Sequence, residues 1–447
     1  MKKNLLVLAI AVLSGGLLSC SSSDNLEDED LGEAKKVAYM LSEAQPIQLT
    51  NEQRLFVNDN NGFTLNFLKE ANEADRSGKS YIYSPLSITY VLGMVNDAAE
   101  GETEKELEQT LGFHEGGIKA MNEFCKNLID NLPKVDKKVQ LNIANAIFLN
   151  KEYTLKPQFE KDMKQYYDAA AEALDFTSPS TLSRINDWCK EKTNGMIPSI
   201  LDQVDPAMVS YLLNAIYFKA DWASKFEEAN TKTETFTTEN GKTQVPLMHQ
   251  NVLINYVKND IYSAIEMPYG NGIYWNMTVM LPENGKTTDD IINYLAEIGW
   301  SKDYIIDNRQ YDVFTPMNGA TPYEVDLKLP RYETTSDTDD LQPGLIGLLR
   351  KMGINRAFDD YLAEIFNMAN VPVYINMMRQ KAAIKVTEEG SEAAAVTVVG
   401  MKALSSIGPD TPIEYPKAAF HANRPFVYLI REASSGTIVF VGKYTGE

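Results

Sequence analysis

Residues that usually carry catalysis are scarce in this chain of 447 residues. Three histidines occur, His114, His249 and His421, and three cysteines, Cys20, Cys125 and Cys189. No two histidines have the spacing of a metal motif and there is no CxxC pair, so neither zinc nor dithiol chemistry is predicted. No GxSxG turn is present to expose a serine nucleophile. Gly270-Asn271-Gly272 reads as a turn, because the further glycine of a phosphate-cradling loop does not follow. Cys125 and Cys189 fall in helical patterns and are expected to be buried and inert. Carboxylates are plentiful, and any two could be written as an acid/base pair, which makes the signal unspecific. The expectation is a protein that is not an enzyme, with no catalytic residue, metal or cofactor.

One segment stands out for a different reason. From Ala393 to Met401 the chain reads AAAVTVVGM, with neither charge nor proline and with β-branched residues at its centre. Such a run has strong strand character and is an aggregation hazard wherever it is exposed. Gly390 precedes it and permits a backbone turn that other residues resist. Gly408-Pro409, Pro412 and Pro416 follow it and read as loop. An ordinary core strand, or a short alanine-rich helix capped by Ser391, would also fit this spacing. The small side chains of Ala393, Ala394 and Ala395 suit a segment that must slide between existing strands better than they suit a strong strand.

The elements that would hold this segment are readable in outline. Apolar residues at helical spacing run from Leu55 to Leu68, and Thr103 with Glu106 reads as a capping box opening a helix through Leu111. Met277–Leu281 and Val325–Leu329 read as strands. Phe426–Ile430 and Thr437–Val441, joined through Ser434-Ser435-Gly436, read as a buried hairpin. Helical and strand patterns are mixed without a break or repeat from about Thr50 onward, so one α+β domain over residues 49–447 is expected. A composition 44% hydrophobic and 23% charged suits a large core. The formal charge of -20 argues against nucleic acid, which needs clustered Lys and Arg.

The N-terminus has a character of its own. Lys2 and Lys3 precede an apolar run from Leu5 to Leu13, followed by small residues up to Cys20. This is the pattern of a secretory signal over residues 1–19, and the apolar run is too short to span a bilayer comfortably. Leu17-Leu18-Ser19-Cys20 looks like a bacterial lipobox, in which Cys20 becomes the lipidated first residue. An ordinary signal peptide with an incidental cysteine is the alternative. Residues 20–48 would form an acidic tether, polar and flexible through about Ala34. The expected location is beyond the inner membrane, anchored to a bacterial outer membrane, with a periplasmic and an outward-facing orientation both open.

From about residue 50 to the end, the chain resembles the serpin family at many separate points. Tyr83-Ser84-Pro85-Leu86-Ser87-Ile88 resembles an early helix with its Ser-Pro start, and Gly101-Glu102-Thr103 with Leu107 and Leu111-Gly112 is similar to the next. Asn145-Ala146-Ile147-Phe148 and Asn214-Ala215-Ile216-Tyr217-Phe218-Lys219 resemble two strands of the family's large central sheet. Trp222, Phe226, Leu329-Pro330-Arg331-Tyr332 and Ala422-Asn423-Arg424-Pro425-Phe426 match further blocks in the right order. Glu388-Glu389-Gly390-Ser391-Glu392-Ala393-Ala394-Ala395 matches the hinge of the reactive loop, with Val396 and Thr397 completing it.

That resemblance implies a serpin-like α+β fold with a large central sheet, two further sheets, eight or nine helices and an exposed reactive centre loop over about 388–416. It implies a monomeric suicide substrate for serine and papain-like cysteine proteases, the alternative being a non-inhibitory serpin that serves as a surface binding or scaffold lipoprotein. The target cleaves the loop, is held as an acyl-enzyme, and is dragged as the hinge inserts into the sheet. Ser391, Ala393, Ala395 and Thr397 are expected to face inward. Counting from Gly390 gives Leu404-Ser405 as the reactive bond, with Met401, Lys402 and Ala403 as alternatives. Counting back from Pro425 lands near Glu414, because the loop is longer than usual.

Overall fold

The computed structural model describes residues 35–36, 45–113, 116–299, 316–391 and 414–447. Eight α-helices lie among these, numbered along the chain: α1 (Asn51–Ala74), α2 (Pro85–Ala98), α3 (Gly101–Leu111), α4 (Gly117–Asn131), α5 (Pro157–Tyr167), α6 (Ser180–Lys192), α7 (Thr288–Gly299) and α8 (Gly344–Met352). The folded part begins earlier than residue 49: the Gln45 amide donates to the Val135 carbonyl, and Ile47 is buried.

Helix starts follow local chemistry. The Thr50 hydroxyl accepts from the Gln53 amide and the Gln53 side chain accepts from the Thr50 amide, which satisfies two end donors of α1 reciprocally. At α2, Ser84 caps the Ser87 amide and Pro85 stands in the first turn, where its missing N–H costs nothing. The capping box expected at Thr103 and Glu106 is not formed. α3 begins two residues before Thr103, and its first-turn amides of Glu102 and Thr103 donate instead to the distant Glu364 carboxylate. Glu106 is thereby left to accept from the Asn355 and Arg356 amides.

Six strands form one sheet, in the order β11 (Tyr332–Asp337), β12 (Lys381–Val386), β13 (Gly390–Ser391), β5 (Ser210–Asp221), β3 (Val139–Asn150) and β4 (Ala170–Leu174). β3 and β5 pair antiparallel from Val139↔Ala220 to Leu149↔Ser210, so the two blocks singled out in the sequence are neighbours. Side chains alternate across β5 as the pleat requires. Ile216, Phe218 and Ala220 join the main core, whereas Tyr211, Leu213 and Ala215 join a second core with Phe148 and the α6 residues Trp188 and Cys189.

The second sheet runs β14 (Lys417–His421), β10 (Thr321–Pro330), β7 (Gly241–Lys258), β8 (Tyr262–Pro268), β9 (Trp275–Pro282), β15 (Phe426–Glu432), β16 (Ile438–Tyr444) and β2 (Tyr81–Tyr83). β1 (Lys35–Lys36) and β6 (Lys232–Thr238) also pair with β7. The 18-residue β7 joins what the resemblance described as two further sheets: its first part pairs with β6 and β10, and its last three residues pair with β8. The hairpin β15–β16 is buried along its whole length, and the two strand segments read from sequence at 277–281 and 325–329 lie inside β9 and β10.

Candidate functional site

Among the described residues, β13 (Gly390–Ser391) is seated in the middle of the six-stranded sheet, between β12 and β5. After β12 the chain turns at Thr387–Gly390: the Thr387 amide donates to the Gly390 carbonyl at 2.8 Å, and the Gly390 amide returns to the Thr387 carbonyl at 3.2 Å. β13 then runs antiparallel to β12 through Val386↔Ser391 and antiparallel to β5 through Gly390↔Asp221 and Ser391↔Ala220. β5 and β12 therefore run parallel to each other, with β13 as a wedge between their ends.

Glycine is required at the head of this wedge. Gly390 has φ +153°, and a Cβ there would lie 2.2 Å from the Ala220 carbonyl oxygen and 2.5 Å from Asp221 Cα. Both obstacles are backbone, so they cannot swing aside. One residue on, Ser391 is 2% exposed and its hydroxyl lies 2.7 Å from that of Tyr269. Tyr269 is fully buried and stacks on Trp222 with ring centroids 4.4 Å apart; burial pushes its phenol well above the ordinary range.

The turn is gripped from one side by the segment that follows β5. The Trp222 indole donates to the Thr387 carbonyl at 2.9 Å. The Trp222 amide donates to the Glu389 carbonyl at 2.8 Å and the Phe226 amide to the Glu388 carbonyl at 3.0 Å. Glu388 is only 4% exposed, and its carboxylate accepts from the Thr231 hydroxyl and from Arg331. Glu389 pairs with Lys225, which also meets Asp221 at 2.9 Å.

Ahead of β13 lies a cavity of about 280 Å³, bounded by the lower half of β5 and by the chain that leads into β12. Asn214, Leu213, Met377, Gln380 and Ser87 are among its lining residues. Its floor is tied together by side chains: Ser87 donates to Asn214, Asn214 donates to Asn145, and Asn145 donates to the Tyr167 carbonyl. Gln380 bonds both the amide and the carbonyl of Ser84. Among the described residues, β13 is seated between β12 and β5 near the end of β5, and the cavity is lined by the first half of β5.

A second cluster, not foreseen from the sequence, joins three strands of the other sheet. His249 on β7 and His421 on β14 direct Nε2 at the two oxygens of Asp326 on β10, at 2.6 and 2.7 Å. Burial alone would raise the Asp326 carboxyl, but the two hydrogen bonds and the histidine charges hold it far below the carboxylate range. The cluster clamps β14, an edge strand joined to β10 by parallel pairing.

Of the residues predicted from sequence, Glu388, Glu389, Gly390 and Ser391 are placed in the turn and the wedge. Glu392, Ala393, Ala394, Ala395, Val396 and Thr397, the bond Leu404-Ser405 with Met401, Lys402 and Ala403, and Cys20 all lie outside the described residues, as does His114. Cys125 and Cys189 are buried, which pushes their thiols up to about 12 and about 11.

Known proteins agree with this geometry. The family model described as serpin (serine protease inhibitor) matches residues 58–446. An uncharacterized serpin-like protein of Thermococcus kodakarensis is 30% identical over 396 residues, covering 88% of this chain and 86% of its own. Serpin B6 of Bos taurus is 30% identical over 399 residues, covering 86% of this chain and 97% of its own. Among solved structures, the thermophilic serpin tengpin in its native state superposes with a TM-score of 0.72 at 25% identity, covering 94% of this chain and 98% of that one.

Proposed function

The chain belongs to the serpin family, and from that premise we propose that it is an inhibitory serpin, a suicide substrate whose loop enters the central sheet after cleavage. The observation that carries this reading is the seating of β13 between β5 and β12, antiparallel to both. Continuing the β13–β5 register residue by residue sets Ala393 opposite Phe218, Ala395 opposite Ile216 and Thr397 opposite Asn214. All three would then face the same side as Ser391, and each is small enough for that side. Val396 and Val398 would fall opposite Ala215 and Leu213, against the second core.

Strand addition of this kind is strongly downhill. About ten new ladder hydrogen bonds at ~1 kcal/mol each contribute on the order of 10 kcal/mol. Each buried valine adds about 1.5–3 kcal/mol, against the entropy of ordering the loop. The same register brings Met401 opposite Ser210, the end of β5. A protease esterified at Leu404 would be held three residues beyond the sheet, whereas one at Met401 would be forced against its edge. This supports Leu404-Ser405 as the reactive bond, with Lys402 the alternative bait for trypsin-like enzymes. Leu404 suits chymotrypsin-like and papain-like enzymes. The protein acts as a monomer on those proteases and catalyses nothing itself.

Secretion under the 1–19 signal and lipidation at Cys20 would place the inhibitor on the outer membrane, facing outward. Labelled fatty acid should enter the native chain and not the Cys20→Ala variant, and proteinase K should reach the protein on intact cells.

The deciding experiment mixes the chain lacking residues 1–20 with serine and cysteine proteases. A covalent band on denaturing gels is expected, with a released fragment that begins at Ser405. Cleavage without a covalent band and without thermal stabilisation of the cleaved chain would overturn the inhibitory reading and leave a non-inhibitory serpin.

A further inference from the structure

Along one side of β7, β6 pairs as far as Leu247 and β8 begins at Tyr256. The stretch between them meets two other pieces of chain. β1 lies parallel to it at Lys35↔Val252 and Lys36↔Leu253. Ser224 exchanges hydrogen bonds with the Gln250 side chain at 3.3 Å. The two pieces also touch each other: Lys35 Nζ donates to the Lys225 carbonyl at 3.3 Å and to the Glu227 carboxylate at 3.0 Å.

Residues 222–231 are the same segment that grips the hinge turn, through the Trp222 and Phe226 amides, the Trp222 indole, Lys225 and Thr231. One short segment is therefore held by the hinge on one flank and by the chain's N-terminal part on the other. Lys225 occupies both flanks, its carbonyl on Lys35 and its ammonium on Glu389.

We propose that β1, Lys35–Lys36, is a strap that restrains the hinge by holding residues 222–231 down on Thr387–Ser391. With the strap docked, the turn stays closed at β13; with it undocked, residues 222–231 loosen and the hinge opens more readily for the rest of the loop. Its functional consequence rests on the trap reading above. Because the strap precedes the first helix, a pull from the N-terminal side acts on it before any other part of the described fold.

The test uses the full mature chain with Lys35→Glu, which sets two like charges against each other, and with the reversal pair Lys35→Glu/Glu227→Lys. Hydrogen exchange is read at the Trp222 and Phe226 amides, with Leu429 in β15 as the internal control. Lys35→Glu should speed exchange at both amides on the order of threefold, the scale of a half-exposed ion pair, and the reversal pair should restore it. Unchanged exchange in Lys35→Glu, or a rise that the reversal pair leaves in place, overturns the strap. Failure of the parent chain to form a covalent protease complex would end the trap reading alone, since exchange is measured without any protease.

Discussion

The Ser391 hydroxyl and the Tyr269 phenol meet at 2.7 Å in a pocket whose wall is the Trp222 indole, stacked on the tyrosine ring. The Ser391 side chain, buried in the sheet, thus already has a hydrogen-bonding partner within the protein. Tyr269→Phe leaves the Ser391 hydroxyl buried without a partner and should cost about 1–3 kcal/mol of hinge closure. Adding Ser391→Ala should recover most of that loss. Hydrogen exchange at Gly390 and Ser391 measures both, and equal effects in the single and double variants would refute the coupling.

Gly390→Ala should unseat β13. Its Cβ would press on the Ala220 carbonyl in a backbone region that L side chains avoid, a strain on the order of 1–3 kcal/mol. Because the clash is confined to one position, the fold should survive with a small loss in Tm, while the Trp222 and Phe226 amides exchange faster.

Charge within the continuing hinge should convert inhibitor into substrate. Ala393→Arg and Ala395→Glu would bury an unpaired charge opposite Phe218 and Ile216, at a cost of several kcal/mol. Both variants should be cleaved at the same bond at a normal rate without leaving a covalent band. Persistence of that band would contradict the assigned register.

Acid should weaken the β14 clamp. Asp326 has a carboxyl held below its ordinary range, so its stabilisation is complete above about pH 4, the unfolded carboxylate's range, and disappears as pH falls further. Asp326→Asn should lower stability at pH 7 by roughly 1 kcal/mol, given a side chain 40% exposed. Thermal melts should show that difference closing at strongly acidic pH.

Asp97 should behave in the opposite way. Burial raises its carboxyl to about 6, against a lowering hydrogen bond from Asn122 and with a further raising contribution from Asp162. The folded state therefore binds the proton more tightly than the unfolded chain, and stability is lost as pH rises from about 4 to 6. Asp97→Asn should stabilise the protein at pH 7 by about 1 kcal/mol after discounting for solvent screening, and have no effect below pH 4.

What the sequence disclosed depended on how local the cause was. The hairpin β15–β16 and strands β9 and β10 show as apolar runs because both faces of the first three are covered by protein. Ser84-Pro85 shows as a helix start because cap and proline act within one turn. Thr103 misled for the opposite reason: the amides beside it are satisfied by Glu364, more than 250 residues away, and no local pattern records that. The His249–Asp326–His421 cluster was illegible for the same cause, since only the joint register of β7, β10 and β14 brings its members together. The role of Tyr269 beneath Ser391 is likewise a product of tertiary packing.

β7 pairs with four other strands along 18 residues, with little slack at any point. One residue inserted in its interior would throw β8 or β6 half a pleat out of phase, turning core side chains to solvent on one side of the insertion. Length changes among descendants of this gene should therefore collect in the turns at Glu239–Asn240 and Asn259–Ile261, where the chain can absorb them. In this way β7 acts as a ruler for the lineage, dividing the places where the sequence can grow from those where it can only substitute.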